Sequence, residues 1–287
     1  MIFAIVIAFS MFSAIPMPRV EWSGKNMRYM MCAFPLVGVV IGALWFGAVM
    51  LAAHFFSEGG SIVARILGNG GLAFSNMNWA VLHVLPLVLV LIPVAVTGGI
   101  HVDGFMDTCD ALGSHAGREK KLAIMKDSHC GAFSVIGCVL YLLANFVLAQ
   151  ALCREIFAEA GDMRTGAVVC VAAGFVLSRL LSAFAVAVFP IARDSGLVRT
   201  FSDSSAKRFT AAWCAVWFVV ISLALVLCFR WQGISVACAQ LVVFAWYFVL
   251  ARRNFGGITG DTAGWFVQMA ELAALFATVL VTGMLSA

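Results

Sequence analysis

The sequence predicts an all-α, polytopic integral membrane protein: a bundle of about seven or eight transmembrane helices in a single domain over residues 1–287. Of the 287 residues, 63% are hydrophobic and 11% are charged, whereas a soluble domain carries about 25% charged residues. The apolar runs are unbroken and show no period-two alternation, which favours helices over a transmembrane barrel.

Seven apolar runs are long enough to span the hydrocarbon core, since a spanning helix needs about twenty residues. They cover residues 29–50, 79–100, 130–152, 166–191, 209–229, 233–251 and 264–286. An eighth, shorter run at 2–15 lacks the basic n-region of a signal peptide, so we expect a short first membrane helix there. The prolines of the following "IPMP" end that helix. Residues 57–78 form a predicted polar loop to which we assign no function.

The loops differ in basic charge according to their side of the membrane. With eight helices, the odd loops at 16–28, 101–129, 192–208 and 252–263 carry thirteen Lys and Arg residues, and the even loops carry four. Basic residues accumulate on the cytoplasmic side. We therefore expect the odd loops, which also hold most of the acids, to face the cytoplasm.

Composition argues against two other kinds of site. The nine cysteines form no CxxC pair and lie mostly inside apolar runs, so we predict neither a disulfide framework nor a cysteine metal site. The chain has no Lys/Arg-rich run interleaved with aromatic residues, so we expect no nucleic-acid partner. The expected surroundings are a lipid bilayer, and the sequence is compatible with a monomer or a homo-oligomer.

One acidic stretch, "TGGIHVDGFMDTCDALGSH" at 97–115, follows an apolar run. Its residues Asp103, Asp107 and Asp110 are spaced i, i+4 and i+7, which on a helix places them within about 60° of one another. Close like charges need a counter-charge, and Mg²⁺ takes such hard oxygen ligands together with substrate phosphates. The alternative is a solvated acidic helix start. The adjacent His101 is either a ligand or a hydrogen-bond donor.

Further ionisable residues surround this stretch in the sequence. In "MKDSHCGAF", Lys126 is suited to face a phosphate and Asp127 to join the acids. Arg193 is a candidate phosphate clamp because its guanidinium binds in a bidentate manner. Arg179 and Glu271 lie inside apolar runs, where ionisable side chains are costly. They are predicted either to serve function or to pair with each other.

Several segments together resemble the cobalamin synthase family, the adenosylcobinamide-GDP ribazoletransferases. They are "FSAIPMP", "FPLVGVVIG", "TGGIHVDGFMDTCDALGS", "REKKLAIMKDSHCGAFS", "FPIARDSGL", "GGITGDTAG" and "MAEL". They extend over nearly the whole chain in the family's order. The resemblance implies an enzyme of the bacterial inner membrane that joins adenosylcobinamide-GDP to α-ribazole or its 5′-phosphate and releases GMP, with Mg²⁺ as cofactor.

The resemblance also assigns roles to residues. It implies that Asp103, Asp107 and Asp110 hold Mg²⁺ with Asp127, that Lys126 faces phosphate, and that Asp261 of the "GDT" turn serves metal, substrate hydroxyl or architecture. Either a cluster aspartate or Asp127 would accept the proton of the attacking hydroxyl. Substrate contacts are expected from His101, Asp110, Arg179, Arg193, Asp261 and Glu271.

Two other functions compete with this interpretation. The acidic element is similar to that of CDP-alcohol phosphatidyltransferases, but Thr108 follows Asp107 where those enzymes continue differently. A transporter would use buried charges such as Arg179 and Glu271, and such proteins often carry paired broken helices at the membrane midplane. The predicted acids gather instead at one membrane face.

Overall fold

The computed structural model describes residues 2–57, 80–157, 165–193 and 196–286. Within these ranges the chain is helical, apart from loops and one isolated parallel bridge between Ile191 and Ile258. The predicted all-α membrane bundle is confirmed. The predicted polar loop at 57–78 lies, from residue 58 onward, outside the described residues.

Eleven α-helices follow one another in the described ranges, and a π-helical turn at Ala80–Val84 precedes the fourth. They are α1 (Ile2–Phe12), α2 (Gly24–Met27), α3 (Met30–Ser57), α4 (Leu85–Thr97), α5 (Ile100–Gly113), α6 (Arg118–Ile124), α7 (Ala132–Phe157), α8 (Thr165–Val188), α9 (Leu197–Ser204), α10 (Lys207–Phe255) and α11 (Gly260–Ser286).

Five of the described helices are long and apolar enough to cross a membrane, and the bent pair at 81–113 would make a sixth span. The 49-residue α10 breaks at Arg230, whose φ of 39° and ψ of −104° are not helical. A Cβ atom placed on Gly233 would lie 2.4 Å from the carbonyl carbon of Leu225, so the helix folds back on itself there. Its two arms correspond to the runs predicted at 209–229 and 233–251.

Helix α8 lies at the centre of the bundle, between α3, α10 and α11. Its small residues, including Cys170 and Ala183, are fully buried. By contrast, α7 and α10 expose large apolar side chains such as Leu140 and Leu227, as lipid-facing helices do. All nine cysteines lie in the described ranges and are free thiols, in agreement with the sequence.

The basic loops of the chain contact one another at one end of the bundle. Backbone and side-chain hydrogen bonds join them in pairs: Ala206 N to Arg28 O at 3.2 Å, Lys121 Nζ to Asn254 Oδ1 at 2.7 Å, and Arg193 Nη2 to Leu122 O. These contacts connect all four odd loops pairwise, as expected if they share one membrane face. We call this the basic end.

A buried ion pair joins α8 to α11. The Nη1 atom of Arg179 donates to the Glu271 carboxylate, to Phe175 O at 3.0 Å and to Ser178 Oγ at 3.0 Å. The Arg179 side chain is 0% exposed and that of Glu271 is 4% exposed. The sequence left open whether these two residues serve function or pair with each other, and the structure shows that they pair. Their predicted contact with substrate stays a prediction.

Removing one member of this pair should be more harmful than removing both. Arg179→Met leaves the Glu271 carboxylate buried without its partner, which is expected to lower the free energy of unfolding by about 3–5 kcal/mol. Combining it with Glu271→Leu should recover much of that loss. SDS titration in mixed micelles, followed by tryptophan fluorescence, measures both variants.

The matched control is Asp203→Ala, because Asp203 pairs with Arg199 at an exposed site where the two side chains are 51% and 42% accessible. That change should alter the free energy of unfolding by about 1 kcal/mol or less. A double variant that is as unstable as Arg179→Met alone would contradict the pairing.

Candidate active site

Two glycines create a sharp turn ahead of the acidic helix. Gly98 and Gly99 adopt φ values of 63° and 81°, in the left-handed region that side chains with a Cβ disfavour. The turn makes an angle of 94° between the apolar segment at 81–97 and α5. The polar stretch therefore leaves the direction of the preceding apolar helix, and α5 starts at Ile100.

The start of α5 packs directly against the start of α11. A Cβ on Gly104 would lie 2.9 Å from both Cα and O of Asp261, and one on Gly264 would lie 3.0 Å from His101 O. Only small residues allow two helix backbones to approach this closely. The contact therefore brings Asp261 beside Asp103, although the two are far apart in the sequence.

The beginning of α11 is fixed by two threonines. Thr262 N donates to Thr259 Oγ1 at 3.1 Å, and Thr259 N donates to Thr262 Oγ1 at 2.8 Å. This reciprocal arrangement resembles a capping box, which satisfies amide donors at a helix start. Asp261 lies in the first turn, where the helix dipole favours a negative charge.

Three carboxylates gather at this contact, and we call Asp103, Asp107 and Asp261 the carboxylate cluster. Asp107 interacts electrostatically with both Asp103 and Asp261, as well as with Asp110. Among the described residues, none of the three is in an ion pair within 4 Å. The attractive charge that acts on Asp261 comes from Arg193. The cluster thus contains an excess of negative charge.

Asp110, which the sequence grouped with these acids, has a different set of contacts. Its Oδ2 accepts from Gly131 N at 2.7 Å, and its Oδ1 accepts from Ser134 N at 3.2 Å. Both amides belong to the start of α7. Asp110 therefore caps α7 from a distant helix, and both of its oxygen atoms are engaged. Its predicted roles as metal ligand and substrate contact stay predictions.

The "KDSH" segment lies in an exposed loop between α6 and α7. Lys126 and Asp127 are both exposed. Asp127 Oδ1 accepts from His129 N at 3.0 Å and lies 2.6 Å from His129 Nδ1. The hydrogen bond from the His129 side chain holds the pKa of the Asp127 carboxyl below its ordinary value. Among the described residues, no hydrogen bond or ion pair joins Asp127 or Lys126 to Asp103 or Asp107, so the metal and catalytic roles of Asp127 and the phosphate role of Lys126 stay predictions.

Two adjoining cavities open beside the carboxylate cluster. The larger has a volume of about 260 Å³, and Asp103 and Asp261 border it together with several aromatic side chains. We call it the aromatic cavity. The smaller, of about 150 Å³, is bordered by Asp261, Arg193 and Arg199, and we call it the arginine cavity. Asp261 borders both, so the acids lie where an apolar space and a cationic space meet.

A short backbone pairing positions Arg193. Ala192 N donates to Ile258 O at 3.0 Å, and Ile258 N donates to Pro190 O at 2.8 Å. The "FPIAR" segment is thereby tied to the glycine-rich turn before α11. Arg193 Nη2 also donates to Leu122 O, while its buried Nε has no partner among the described residues. The guanidinium is thus held beside Asp261, as a phosphate clamp would require.

His101 is placed at the inner side of the aromatic cavity. It is 5% exposed, its ring centroid lies 5.7 Å from that of Phe34 and 6.2 Å from that of Phe12, and its Nε2 has no partner in the described structure. The positive charge of Arg179 acts electrostatically on the His101 ring. Glu271 borders a separate small cavity instead.

The carboxylate cluster fits Mg²⁺ by its donor chemistry. The described residues contain no group of three or more His, Cys, Asp or Glu side chains already arranged around a metal position. Mg²⁺, however, is usually held by one or two carboxylates, with substrate phosphates and waters completing its shell. Asp103, Asp107 and Asp261 supply such ligands without competing cations in contact.

Sequence reasoning gave no role to the aromatic residues that border the larger cavity. Phe12, Phe34 and Phe201 come from three separate elements and converge there. A signal for each was present, because Phe12 lies in "FSAIPMP", Phe34 in "FPLVGVVIG" and Phe201 in "GLVRTFSD". In a chain this hydrophobic, a phenylalanine near a helix end is not distinguishable from a lipid-facing or core residue.

Comparison with known proteins gives a consistent result. The sequence profile of the cobalamin-5-phosphate synthase family matches residues 4–279. A relative from Lachnoclostridium phytofermentans is 33% identical over 279 residues, covering 97% of this chain and 94% of the relative. Relatives from Clostridium perfringens (95% of each chain) and Fusobacterium nucleatum (93% of each) are both 30% identical. All three are named adenosylcobinamide-GDP ribazoletransferase. No solved structure matches the chain.

The capping contact of Asp110 makes a testable prediction. Asp110→Ala removes the acceptor for two amides of α7 and should lower the free energy of unfolding by about 0.5–2 kcal/mol, as loss of a helix cap does. Asp103→Ala is the matched control on the same helix, because its carboxylate caps no helix and its removal relieves repulsion. SDS titration of both variants checks this. An Asp110→Ala protein as stable as Asp103→Ala would contradict the capping role.

Proposed function

The chain belongs to the cobalamin-5-phosphate synthase family, and we propose that it joins adenosylcobinamide-GDP to α-ribazole or its 5′-phosphate with release of GMP. The observation that carries this proposal is the position of the carboxylate cluster between an apolar cavity and a cationic one. A reaction between a nucleoside and a diphosphate brings an apolar ring system close to negatively charged phosphates. This site offers an apolar cavity next to a cationic one.

In the proposed reaction, a ribose hydroxyl attacks the phosphorus atom on the cobinamide side of the diphosphate. A new P–O bond forms to the ribose, and the bond from that phosphorus to the bridging oxygen breaks. The bridging oxygen leaves with GMP. Asp103 and Asp261 border the aromatic cavity, and one of these two carboxylates accepts the hydroxyl proton.

The cationic side of the site would bind the diphosphate. Arg193 is held by Leu122 O and by the pairing of its segment with the α11 turn, and its Nε remains available for an anion. A guanidinium fixed in this way gives charge-assisted hydrogen bonds to phosphate oxygens. Lys126 and Asp127 would reach the substrate only from the exposed loop outside the cluster.

The carboxylate cluster would hold Mg²⁺ through Asp103, Asp107 and Asp261. When bound there, the ion would neutralise negative charge on the diphosphate and on departing GMP. The chain's own residues would hold the reactants: Arg193 binds the phosphates, and the paired starts of α5 and α11 fix the distance between the acids. We further propose that the basic end faces the cytoplasm at a bacterial inner membrane, in line with its excess of Lys and Arg.

The direct test is a reconstituted reaction. Purified protein incubated with adenosylcobinamide-GDP, α-ribazole and Mg²⁺ should yield GMP and the joined cobamide in equal amounts, and EDTA should abolish both. GMP without cobamide would indicate hydrolysis rather than transfer. A lipid alcohol that replaces α-ribazole as acceptor would instead identify a phosphatidyltransferase-type enzyme.

Substitutions in the cluster should stop transfer without unfolding the protein. Asp103→Ala and Asp107→Ala each remove a carboxylate that no ion pair uses, so each protein should insert and purify normally while GMP release falls by about a thousandfold, the scale seen when charge stabilisation is lost at such sites. Glu21→Ala, at an exposed position that borders neither cavity, is the control with normal turnover. Near-normal turnover in either cluster variant would contradict the assignment of the carboxylate cluster as the active site.

A further inference from the structure

The aromatic cavity is bordered by two unlike kinds of side chain. The carboxylates of Asp103 and Asp261 border it, and so do the rings of Phe12, Phe34 and Phe201. The Phe34 and Phe201 residues are 2% and 4% exposed, so these rings are held firmly by the surrounding helices. A ligand in this cavity would therefore meet both carboxylates and an apolar aromatic wall.

The rings form a wall suited to a flat aromatic ligand. The centroid of Phe12 lies 4.3 Å from that of Phe34 and 6.0 Å from that of Phe201, at interplanar angles of 40° and 67°. Aromatic rings pack favourably against further aromatic rings in offset and edge-to-face arrangements, so the side of this wall that borders the cavity can contact an aromatic ligand. The buried ring of His101 extends the wall next to Phe12 and Phe34.

The size of the cavity limits what it can hold. At about 260 Å³ it lies just below the range of about 300–1,000 Å³ in which drug-sized ligands bind. One bicyclic ring system fits this volume, whereas a corrin macrocycle with its side chains does not. The corrinoid part of the first substrate must then remain outside.

The polarity of the wall separates two bicyclic bases. Guanine carries hydrogen-bonding groups along its edges, and burying them without partners is costly. Ser182 and His101 are the polar side chains that the described part of the chain contributes to this wall, apart from the two aspartates. A benzimidazole has an apolar edge and a single unsubstituted ring nitrogen, so it matches the wall far better than guanine does.

We infer that the aromatic cavity receives the base of the ribazole substrate, with its ribose directed towards Asp103 and Asp261. This inference rests on the proposed function, and it assigns to Phe12, Phe34, Phe201 and Val186 the selection of the base. The attacking hydroxyl then lies beside the carboxylates, and the diphosphate approaches from the arginine cavity.

A matched pair of substitutions on α8 tests the inference. Val186 borders the cavity and is 3% exposed, whereas Val188 is 53% exposed and does not border it. Val186→Phe should raise the KM for dimethylbenzimidazole ribazole about tenfold or more, the scale on which a hydrophobic pocket discriminates by size. The KM for adenosylcobinamide-GDP should stay unchanged. Val188→Phe should leave both KM values at wild-type level.

A smaller base provides the rescue. If the added ring occupies the space of the base, a nucleoside of unsubstituted benzimidazole should suffer a clearly smaller rise in KM with Val186→Phe than the dimethyl compound. Should Val186→Phe fail to fold, Phe201→Leu replaces it. That variant widens the cavity and removes a stacking surface, so the KM should rise for both nucleosides and not for adenosylcobinamide-GDP.

The outcomes separate this inference from the proposed function. Absence of GMP release from the wild-type protein overturns the function itself. An active wild type whose Val186→Phe and Phe201→Leu variants keep the nucleoside KM, or raise the KM for adenosylcobinamide-GDP instead, overturns only the base site. Retention of a phospholipid that both variants lose, without a change in nucleoside KM, would show that the cavity holds an acyl chain.

Discussion

Two helices begin side by side at the basic end of the bundle, and their backbones touch at Gly104 and Asp261. That contact determines the distance between the acids of α5 and the acid of α11, and hence the excess negative charge of the carboxylate cluster. It depends on the absence of a side chain at Gly104 and on the left-handed turn at Gly98 and Gly99, which directs α5 away from the preceding apolar segment. The cavities on either side exist because the two helix starts meet at this point.

Some polar residues of the described chain hold the bundle together, whereas the acids of the carboxylate cluster form no ion pair. Arg179 and Glu271 pair inside the bundle and fix α8 against α11. Asp110 caps α7 and ties it to α5. Asp103, Asp107 and Asp261, by contrast, cap no neighbouring helix and form no ion pair within 4 Å among the described residues. Neighbouring acids on one helix therefore have different roles, because their surroundings differ.

The sequence predicted the helical bundle and part of the acidic site. It could not predict the contacts between residues that lie far apart in the chain. Composition predicted the helical membrane bundle, and helical spacing placed Asp103 and Asp107 on one stripe. The same spacing grouped Asp110 with them, because it says nothing about the start of α7, where the amides of Gly131 and Ser134 donate to the Asp110 carboxylate. Asp127 bonds His129 in an exposed loop, and its predicted place beside the cluster, which assumed a helical hairpin, stays a prediction. The approach of Asp261 is a long-range backbone contact, which no local pattern encodes.

We propose that Asp261, rather than the exposed Asp127, completes the metal site with Asp103 and Asp107. Titration of the purified protein with Mn²⁺, with the free ion followed by electron paramagnetic resonance, tests this directly in wild type and in the Asp261→Asn and Asp127→Asn variants. We expect Asp261→Asn to weaken Mn²⁺ binding by about tenfold or more, while Asp127→Asn binds as the wild type does. Loss of Mn²⁺ affinity in Asp127→Asn, with Asp261→Asn unaffected, would contradict it.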